Sequence, residues 1–135
     1  MDLRVHESQL WVNYELINEL MAPTELSDLV AQFVDLETDD KWLGFAKKAL
    51  LGGSPITLAL VREQIKRGKY MSLSEVFAME RIMSTQCAMH PDLQEGIRAL
   101  LIDKDGTPQW SVSSVDDITD DMLIAYFETP EGMTK

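Results

Sequence analysis

Apolar residues recur at helical spacing along nearly the whole chain, and this constrains the fold more than any other feature. Leu10, Tyr14, Ile17 and Met21 form a first stripe whose members lie three or four residues apart. That spacing is the period of an amphipathic helix. No stretch shows the strict alternation or the density of β-branched residues that is typical of a strand. The pattern predicts an all-α protein with six or seven helices.

Capping residues and helix breakers divide this pattern into separate helices. At Ser54-Pro55 a capping serine stands directly before a proline suited to the first helical position. Ser72–Glu75 has the spacing of a capping box, and Asp92–Glu95 predicts a second one with aspartate as the cap. Helix ends are predicted at Pro23, Gly52-Gly53, Gly68 and His90-Pro91.

The apolar stripes of the later helices are predicted to form the core. They comprise Leu58, Val61 and Ile65 after Pro55; Leu73, Val76, Phe77, Met83 and Cys87 after Ser72; and Leu93, Ile97, Leu100 and Leu101 after Asp92. Glu80 interrupts the second stripe. We expect it to pair with a base such as Arg81 or Lys104 or to lie at the edge of the stripe, with a buried functional carboxylate as the alternative.

The chain is divided into three regions by these signals. Residues 1–50 are N-terminal helices, residues 51–128 a second helical segment, and residues 129–135 a loose tail. Residues 1–20 lack a basic start followed by an apolar block, so we expect no signal peptide. No apolar run reaches the length of a membrane span. Cys87 is the single cysteine, which excludes an internal disulfide and suits a reducing cytoplasm.

Charge is distributed unevenly along the chain. The net charge is −11, which argues against non-specific binding to nucleic acid. Residues 1–40 hold 10 acids and 1 base, residues 41–104 hold 6 acids and 10 bases, and residues 105–135 hold 7 acids and 1 base. A basic middle between acidic ends could face an anionic ligand; the alternative is a set of solvated helix surfaces.

The reactive side chains do not assemble into a catalytic or metal-binding pattern. Cys87 lies three residues before His90, but it falls on an apolar stripe, which favours a packed core cysteine over a nucleophile. His6 and His90 have no metal-ligand spacing with other residues. The aspartates at 116–117 and 120–121 lack the glycine and distal glutamate of a calcium loop, and helix N-termini explain them better. We assign no catalytic residue and no metal ligand.

Three blocks of sequence, taken in order, carry a family resemblance. They are Gly53–Leu60 (GSPITLAL), Ser72–Glu80 (SLSEVFAME) and Glu95–Lys104 (EGIRALLIDK), the last followed by Pro108 and Trp110. These blocks resemble the 3-hydroxyisobutyryl-CoA hydrolase branch of the enoyl-CoA hydratase (crotonase) family across roughly Ser54–Phe127. Compared with the plain hydratases, the branch that this chain resembles holds one extra residue between the glycine and the lysine of the third block.

The resemblance implies the C-terminal helical region of a crotonase fold, without the spiral α/β core that carries the family's catalytic groups. In that family the C-terminal helices cover the acyl-CoA site and often mediate subunit contacts, and the hydrolase branch cleaves a thioester in valine breakdown. We therefore expect this chain alone to be inactive, and to meet a crotonase core chain or to self-associate. The alternative is a non-catalytic helical interaction or oligomerisation module.

The resemblance also implies two ligand contacts. The helix of the third block resembles the part of crotonases that lies near the nucleotide end of coenzyme A. Arg98 and Lys104 are then candidate contacts to its phosphates, as charge-assisted donors. The alternative is that both side chains form surface ion pairs. No cofactor is expected, because the coenzyme A thioester is the substrate of the family.

Overall fold

The computed structural model describes residues 8–133, and all regular elements within that range are helical. Its α-helices are α1 (Gln9–Val12), α2 (Tyr14–Leu20), α3 (Leu26–Asp35), α4 (Lys41–Gly52), α5 (Pro55–Gly68), α6 (Leu73–Met89), α7 (Pro91–Ile97) and α8 (Asp120–Ala125). A π-helix (Arg98–Ile102) follows α7, and a 3-10 helix (Val115–Asp117) precedes α8. The predicted all-α class is confirmed. No helix in the described range is long and apolar enough to cross a membrane.

One more α-helix is present than predicted, because Asn13 interrupts the first predicted helix. Its backbone leaves the helical region, at φ −100° and ψ 14°. Its side-chain amide donates a hydrogen bond to the carbonyl oxygen of Gln9 at 3.0 Å. Asparagine offers the backbone such local alternatives to helical hydrogen bonds, which explains a break at this position.

The chain divides into two units between Gly52 and Gly53. In the first unit Leu20, Leu29 and Phe33 form a small buried core, against which other leucines of the unit pack. Helix α4 begins where the Oδ1 atom of Asp40 accepts the backbone N–H groups of Trp42 at 2.8 Å and Leu43 at 3.1 Å. These bonds satisfy two donors that a helix start otherwise leaves unpaired.

Lys47 closes the carboxyl end of α3 from the neighbouring helix α4. Its Nζ atom donates hydrogen bonds to the carbonyl oxygens of Val34 at 2.7 Å and Leu36 at 2.8 Å. The last carbonyls of a helix lack partners within the helix and carry partial negative charge. A lysine at this place therefore both satisfies them and joins α4 to α3.

The second unit has its own core, formed by Ile56, Leu60, Met79, Met83 and Tyr126. The predicted caps at Ser54 and Ser72 are confirmed. Ser54 Oγ accepts the N–H of Thr57 at 3.3 Å, and Ser72 forms the reciprocal capping box with Glu75. The last described residues are not wholly loose, since Pro130 is buried.

The predicted core stripes are largely wrong about which helix face is covered. On α6 the predicted Met83 is buried, together with Met79, whereas Leu73 and Phe77 are 70% and 61% exposed. On α5 the buried face carries Ile56, Ala59 and Leu60, and the expected core residues Val61 and Ile65 are exposed. The expected core residues after Asp92 are also exposed: Leu93, Ile97, Leu100 and Leu101.

The physical reason is that these helices are apolar on more than one side. Periodicity identifies helix faces, but burial depends on the elements that pack against them, which are set by the tertiary fold. Glu80 illustrates the same point, because it accepts a hydrogen bond from the side-chain amide of Gln64 on α5 at 2.8 Å. It lies on a helix surface that faces a neighbour within the unit.

Candidate functional site

Asp92, in the first turn of α7, is a buried carboxylate that joins three parts of the second unit. It is 8% exposed. Its Oδ2 atom accepts the hydroxyl of Ser54 at 2.5 Å, and its Oδ1 atom accepts the backbone N–H of Ser111 at 2.8 Å. The prediction that Asp92 caps the helix is wrong. Pro91 takes the first helical position, so His90 stands at the cap without a side-chain hydrogen bond, and Asp92 is left to bind outside the helix.

Arg98 lies where α7 passes into the π-helix, and its guanidinium binds three carboxylates. Nε and Nη2 donate to the two carboxylate oxygens of Glu95, at 2.9 Å and 2.7 Å. Nη1 donates to Oδ2 of Asp103 at 2.7 Å and to Oδ2 of Asp105 at 2.6 Å. The pairing with Glu95 is bidentate, which is the strong geometry for arginine with a carboxylate.

This cluster shifts the pKa values of its members. Hydrogen bonds from Arg98, and then from the backbone N–H of Gln109, lower the pKa of Glu95 to about 2. Arg98 likewise lowers the pKa of Asp105, with help from the backbone N–H of Thr107. The carboxylates of Glu95, Asp105 and Asp103 raise the pKa of Arg98 in turn. Glu95, Asp105 and Arg98 therefore carry full charge at neutral pH.

Residues 103–111 form a strap that lies along one side of α7. The strap is tied by the bonds of Arg98 to its first residues and by the N–H of Gln109, which donates to Oε1 of Glu95 at 2.7 Å. The ring of Trp110 packs on Gly96, where a methyl group would lie 3.3 Å from the ring. The N–H of Ser111 then ends on Asp92. Glu95, Gly96 and Arg98 thus hold the strap in place.

Lys104 occupies the turn that begins the strap. Its φ angle of +55° places a side-chain-bearing residue in the left-handed region, which costs about 1 kcal/mol. Gly106, with φ +65°, follows in the same turn and donates its N–H to the carbonyl of Ala99 at 3.1 Å. The Lys104 side chain is exposed and forms no ion pair within residues 8–133.

The two predicted phosphate contacts therefore differ in their surroundings. The Arg98 guanidinium is half-buried among carboxylates, whereas the Lys104 ammonium projects from a turn that Arg98 holds. A phosphate that approached Arg98 would meet three negative charges. Contact of either residue with coenzyme A stays a prediction.

Cys87 and His90 lie beside the core of the second unit, to which Tyr126 belongs. Cys87 packs against that core, as predicted, and burial raises the pKa of its thiol. The imidazole of His90 stacks on the ring of Tyr126, with 4.3 Å between the centroids. Burial, and then the charge of Asp92, raise the pKa of Tyr126 to about 12. The thiol and the phenol are thus protonated at neutral pH and poorly suited to act as nucleophiles.

The paired aspartates lie at helix starts, as predicted. Ser114 and Asp117 form a reciprocal capping box at the 3-10 helix, and Thr119 caps α8 ahead of Asp120 and Asp121. In the part of the chain that the structure describes, no group of three or more His, Cys, Asp or Glu residues is placed to hold a metal ion. His6 lies outside that part.

The sequence patterns did not reveal the contacts that organise this site. Glu95 and Arg98 stand three apart on a helix, a spacing that predicts an ion pair. The bonds from Asp92 to Ser54 and Ser111 span 38 and 19 residues, and no local pattern signals them.

Comparison with known proteins gives a consistent result. Residues 2–127 match the family model described as enoyl-CoA hydratase/isomerase. The mitochondrial 3-hydroxyisobutyryl-CoA hydrolase of Gallus gallus is 34% identical over 117 residues, which are 84% of this chain and 29% of that protein. The chain thus spans less than a third of the length of this relative. The predicted cytoplasmic location stays a prediction, since the relative is named as mitochondrial.

Two solved structures share the fold. A carnitinyl-CoA dehydratase from Mycobacterium thermoresistibile superposes with a TM-score of 0.78 at 27% identity, covering 93% of this chain and 36% of that chain. An enoyl-CoA hydratase from Rhodobacter sphaeroides 2.4.1 superposes with a TM-score of 0.77 at 29% identity, covering 91% and 36% respectively. The helices described above therefore have counterparts within larger acyl-CoA enzymes.

Gly96→Ala should destabilise the protein, whereas Gly44→Ala should stabilise it. Each change gains about 1 kcal/mol of helix propensity. At Gly96 the new methyl group presses on Trp110, which cannot retreat without stretching the ties at Gln109 and Ser111, and overpacking costs about 1–3 kcal/mol. At Gly44 nothing lies within 4 Å of the added carbon. Urea unfolding followed by circular dichroism measures the free energy of unfolding of each variant. Equal stabilisation by the two changes would contradict the packing described for Trp110.

The Glu95 cluster should make stability fall in acid. Because the folded pKa of about 2 lies below the unfolded value of about 4.3, the contribution is fully present above about pH 5 and disappears towards pH 2. Glu95→Gln should lower the melting temperature at pH 7 and converge with the parent protein near pH 2. Glu128→Gln, at an exposed position, serves as the control and should follow the parent curve. Parallel curves for Glu95→Gln and the parent would show that Glu95 makes no such contribution.

Proposed function

This chain belongs to the enoyl-CoA hydratase/isomerase family, and from that membership we propose that it serves as the helical region of a 3-hydroxyisobutyryl-CoA hydrolase-like enzyme of valine breakdown. In this role it covers an acyl-CoA site whose catalytic groups lie on a crotonase core. The core supplies two backbone N–H groups for the thioester oxygen and carboxylates that activate water.

The uncovered apolar face of α7 and the π-helix carries this proposal. The strap covers the side of α7 that bears Asp92, Glu95 and Gly96. The other side presents large apolar residues to solvent: Leu93, Ile97, Leu100, Leu101 and Ile102. An exposed apolar surface of this kind marks a site of association, and here it suits burial against a catalytic core.

The chemistry of the described residues supports a covering role for these helices and a catalytic role for the core. Hydrolysis of a thioester needs an activated nucleophile or water and a stabilised oxyanion. Cys87 is a half-buried thiol with a raised pKa, and Asp92 and Glu95 are occupied by the strap. We therefore infer that the helices position and cover the substrate, and that they do not cleave it.

The purified chain should not hydrolyse 3-hydroxyisobutyryl-CoA. Released coenzyme A is best measured by reversed-phase chromatography, because Cys87 would itself react with a thiol reagent. The Gallus gallus relative provides the positive control, and heat-denatured chain the blank. Hydrolysis by the chain above the blank would refute the proposal that the helices position and cover the substrate without cleaving it.

Analytical ultracentrifugation of the same sample tests the alternative function, a helical module that self-associates. Association that grows with concentration and weakens on Leu101→Ser would favour self-association through the apolar face. A monomer at all concentrations would speak against that alternative and leave the face for a core chain. Thr57→Ser, which changes an exposed residue on α5, is the control for the substitution.

Lys104 and Arg98 are proposed to contact the phosphates of coenzyme A, with Lys104 making the more direct contact. Lys104→Met should weaken binding of coenzyme A about tenfold, because a charge-assisted hydrogen bond contributes about 1.5–3 kcal/mol. Arg98→Ala should also weaken it, through loss of its own contact and release of the turn. Lys48→Met, which removes an exposed lysine of α4, is the matched control. Isothermal titration calorimetry measures the dissociation constant of coenzyme A for the parent chain and the three variants. Absence of binding heat for the parent chain would contradict the proposed contact.

A further inference from the structure

A groove in the first unit lies apart from every residue discussed as a site. It has a volume of about 340 Å³, is open to solvent, and is lined by Leu16, Glu19, Leu20, Gln32, Asp35 and Leu36. The lining residues come from α2, from α3 and from the residue that follows α3. The groove therefore lies between two consecutive helices of one unit.

The floor of the groove is apolar and held in place. Leu20 belongs to the buried core of the unit, and Leu16 and Leu36 pack against that core. Lys47 fixes the end of α3 beside Leu36 by binding the Leu36 carbonyl. The leucine surface is thus a formed feature of the unit, and an occupant would not have to create it.

The rim of the groove is acidic. Glu19 and Asp35 are both exposed lining residues, and the lining includes no basic side chain. From Ser8 to Asp40 the sequence holds eight acids and no base. Lys47 does not line the groove, and its ammonium is bound to the carbonyls of Val34 and Leu36. A negative field over an apolar floor favours a ligand that is both cationic and apolar.

We propose that this groove docks a basic amphipathic helix of a partner protein. Its apolar side would lie on Leu16, Leu20 and Leu36, and its lysine or arginine side chains would reach Glu19 and Asp35. An amphipathic helix laid in an apolar groove is a recurrent recognition mode. The open side of the groove favours a helix over a small amine, since small ligands bind in pockets that bury most of their surface.

A helix is long enough to lie along all three leucines of the floor, whereas a single side chain is not. The proposal is independent of acyl-CoA chemistry and goes beyond the function proposed above.

A designed peptide tests the proposal on the full chain. The probe is a fluorescein-labelled helical peptide with leucine on one face and lysine on the other, and its counterpart replaces every lysine with glutamate. Fluorescence anisotropy reports binding. The lysine peptide should bind the parent chain and the glutamate peptide should not, because the groove rim carries the opposite charge.

Two variants separate the groove from the general charge of the unit. The double change Glu19→Gln with Asp35→Asn should weaken the lysine peptide about tenfold through loss of two ion pairs. Glu15→Gln with Asp39→Asn removes the same charge at exposed positions outside the lining and should have a smaller effect. Gln32→Trp fills the groove without changing charge and should abolish binding.

Three outcomes would overturn the proposal. Equal weakening by the two double variants would mean that the peptide responds only to net charge. Binding that survives Gln32→Trp would place the peptide elsewhere, and failure of the parent chain to distinguish the two peptides would remove the site. Circular dichroism of each variant establishes that the helices remain folded.

Discussion

The buried carboxylate of Asp92 is the interaction on which the second unit depends. A charged group withdrawn from water costs several kcal/mol unless it is hydrogen-bonded. Here the compensating donors come from Ser54, at the start of α5, and from Ser111, at the end of the strap. The need to satisfy one carboxylate therefore brings together three segments that are distant in sequence, and the cap of α5 is part of that arrangement.

The strap determines which side of α7 is available to other molecules. Apolar residues such as those of α7 and the π-helix are ordinarily buried. Here the strap instead covers the side of α7 that bears the acidic and small residues. Bidentate pairing of Arg98 with Glu95, and its bonds to Asp103 and Asp105, hold the strap at its origin. The carboxylates of Asp92 and Glu95 are bound inside the unit, and the apolar groups of α7 are left for an external surface.

How far the sequence predicts this structure depends on how local each feature is. Helix positions and the caps at Ser54 and Ser72 follow from neighbouring residues and were predicted. Buried faces depend on distant packing, so the assignment of Leu73, Phe77, Leu93, Leu100 and Leu101 to the core was wrong. Arg98 and Lys104 were singled out through the family resemblance, but the carboxylates around Arg98 and the left-handed backbone of Lys104 became visible only in three dimensions.

The π-helix at Arg98–Ile102 has a consequence for how chains of this family change in length. A π-helical turn holds one residue more than the α-helical turn it replaces, so it can absorb a single insertion without lengthening the helix by a further turn. We expect the extra residue that the family resemblance implies between Gly96 and Lys104 to fall on this segment. Removal of one residue from this turn would restore α-helical geometry and turn the remaining residues of the segment to new directions. The outward surface of this helix end is therefore sensitive to a change of a single residue in length.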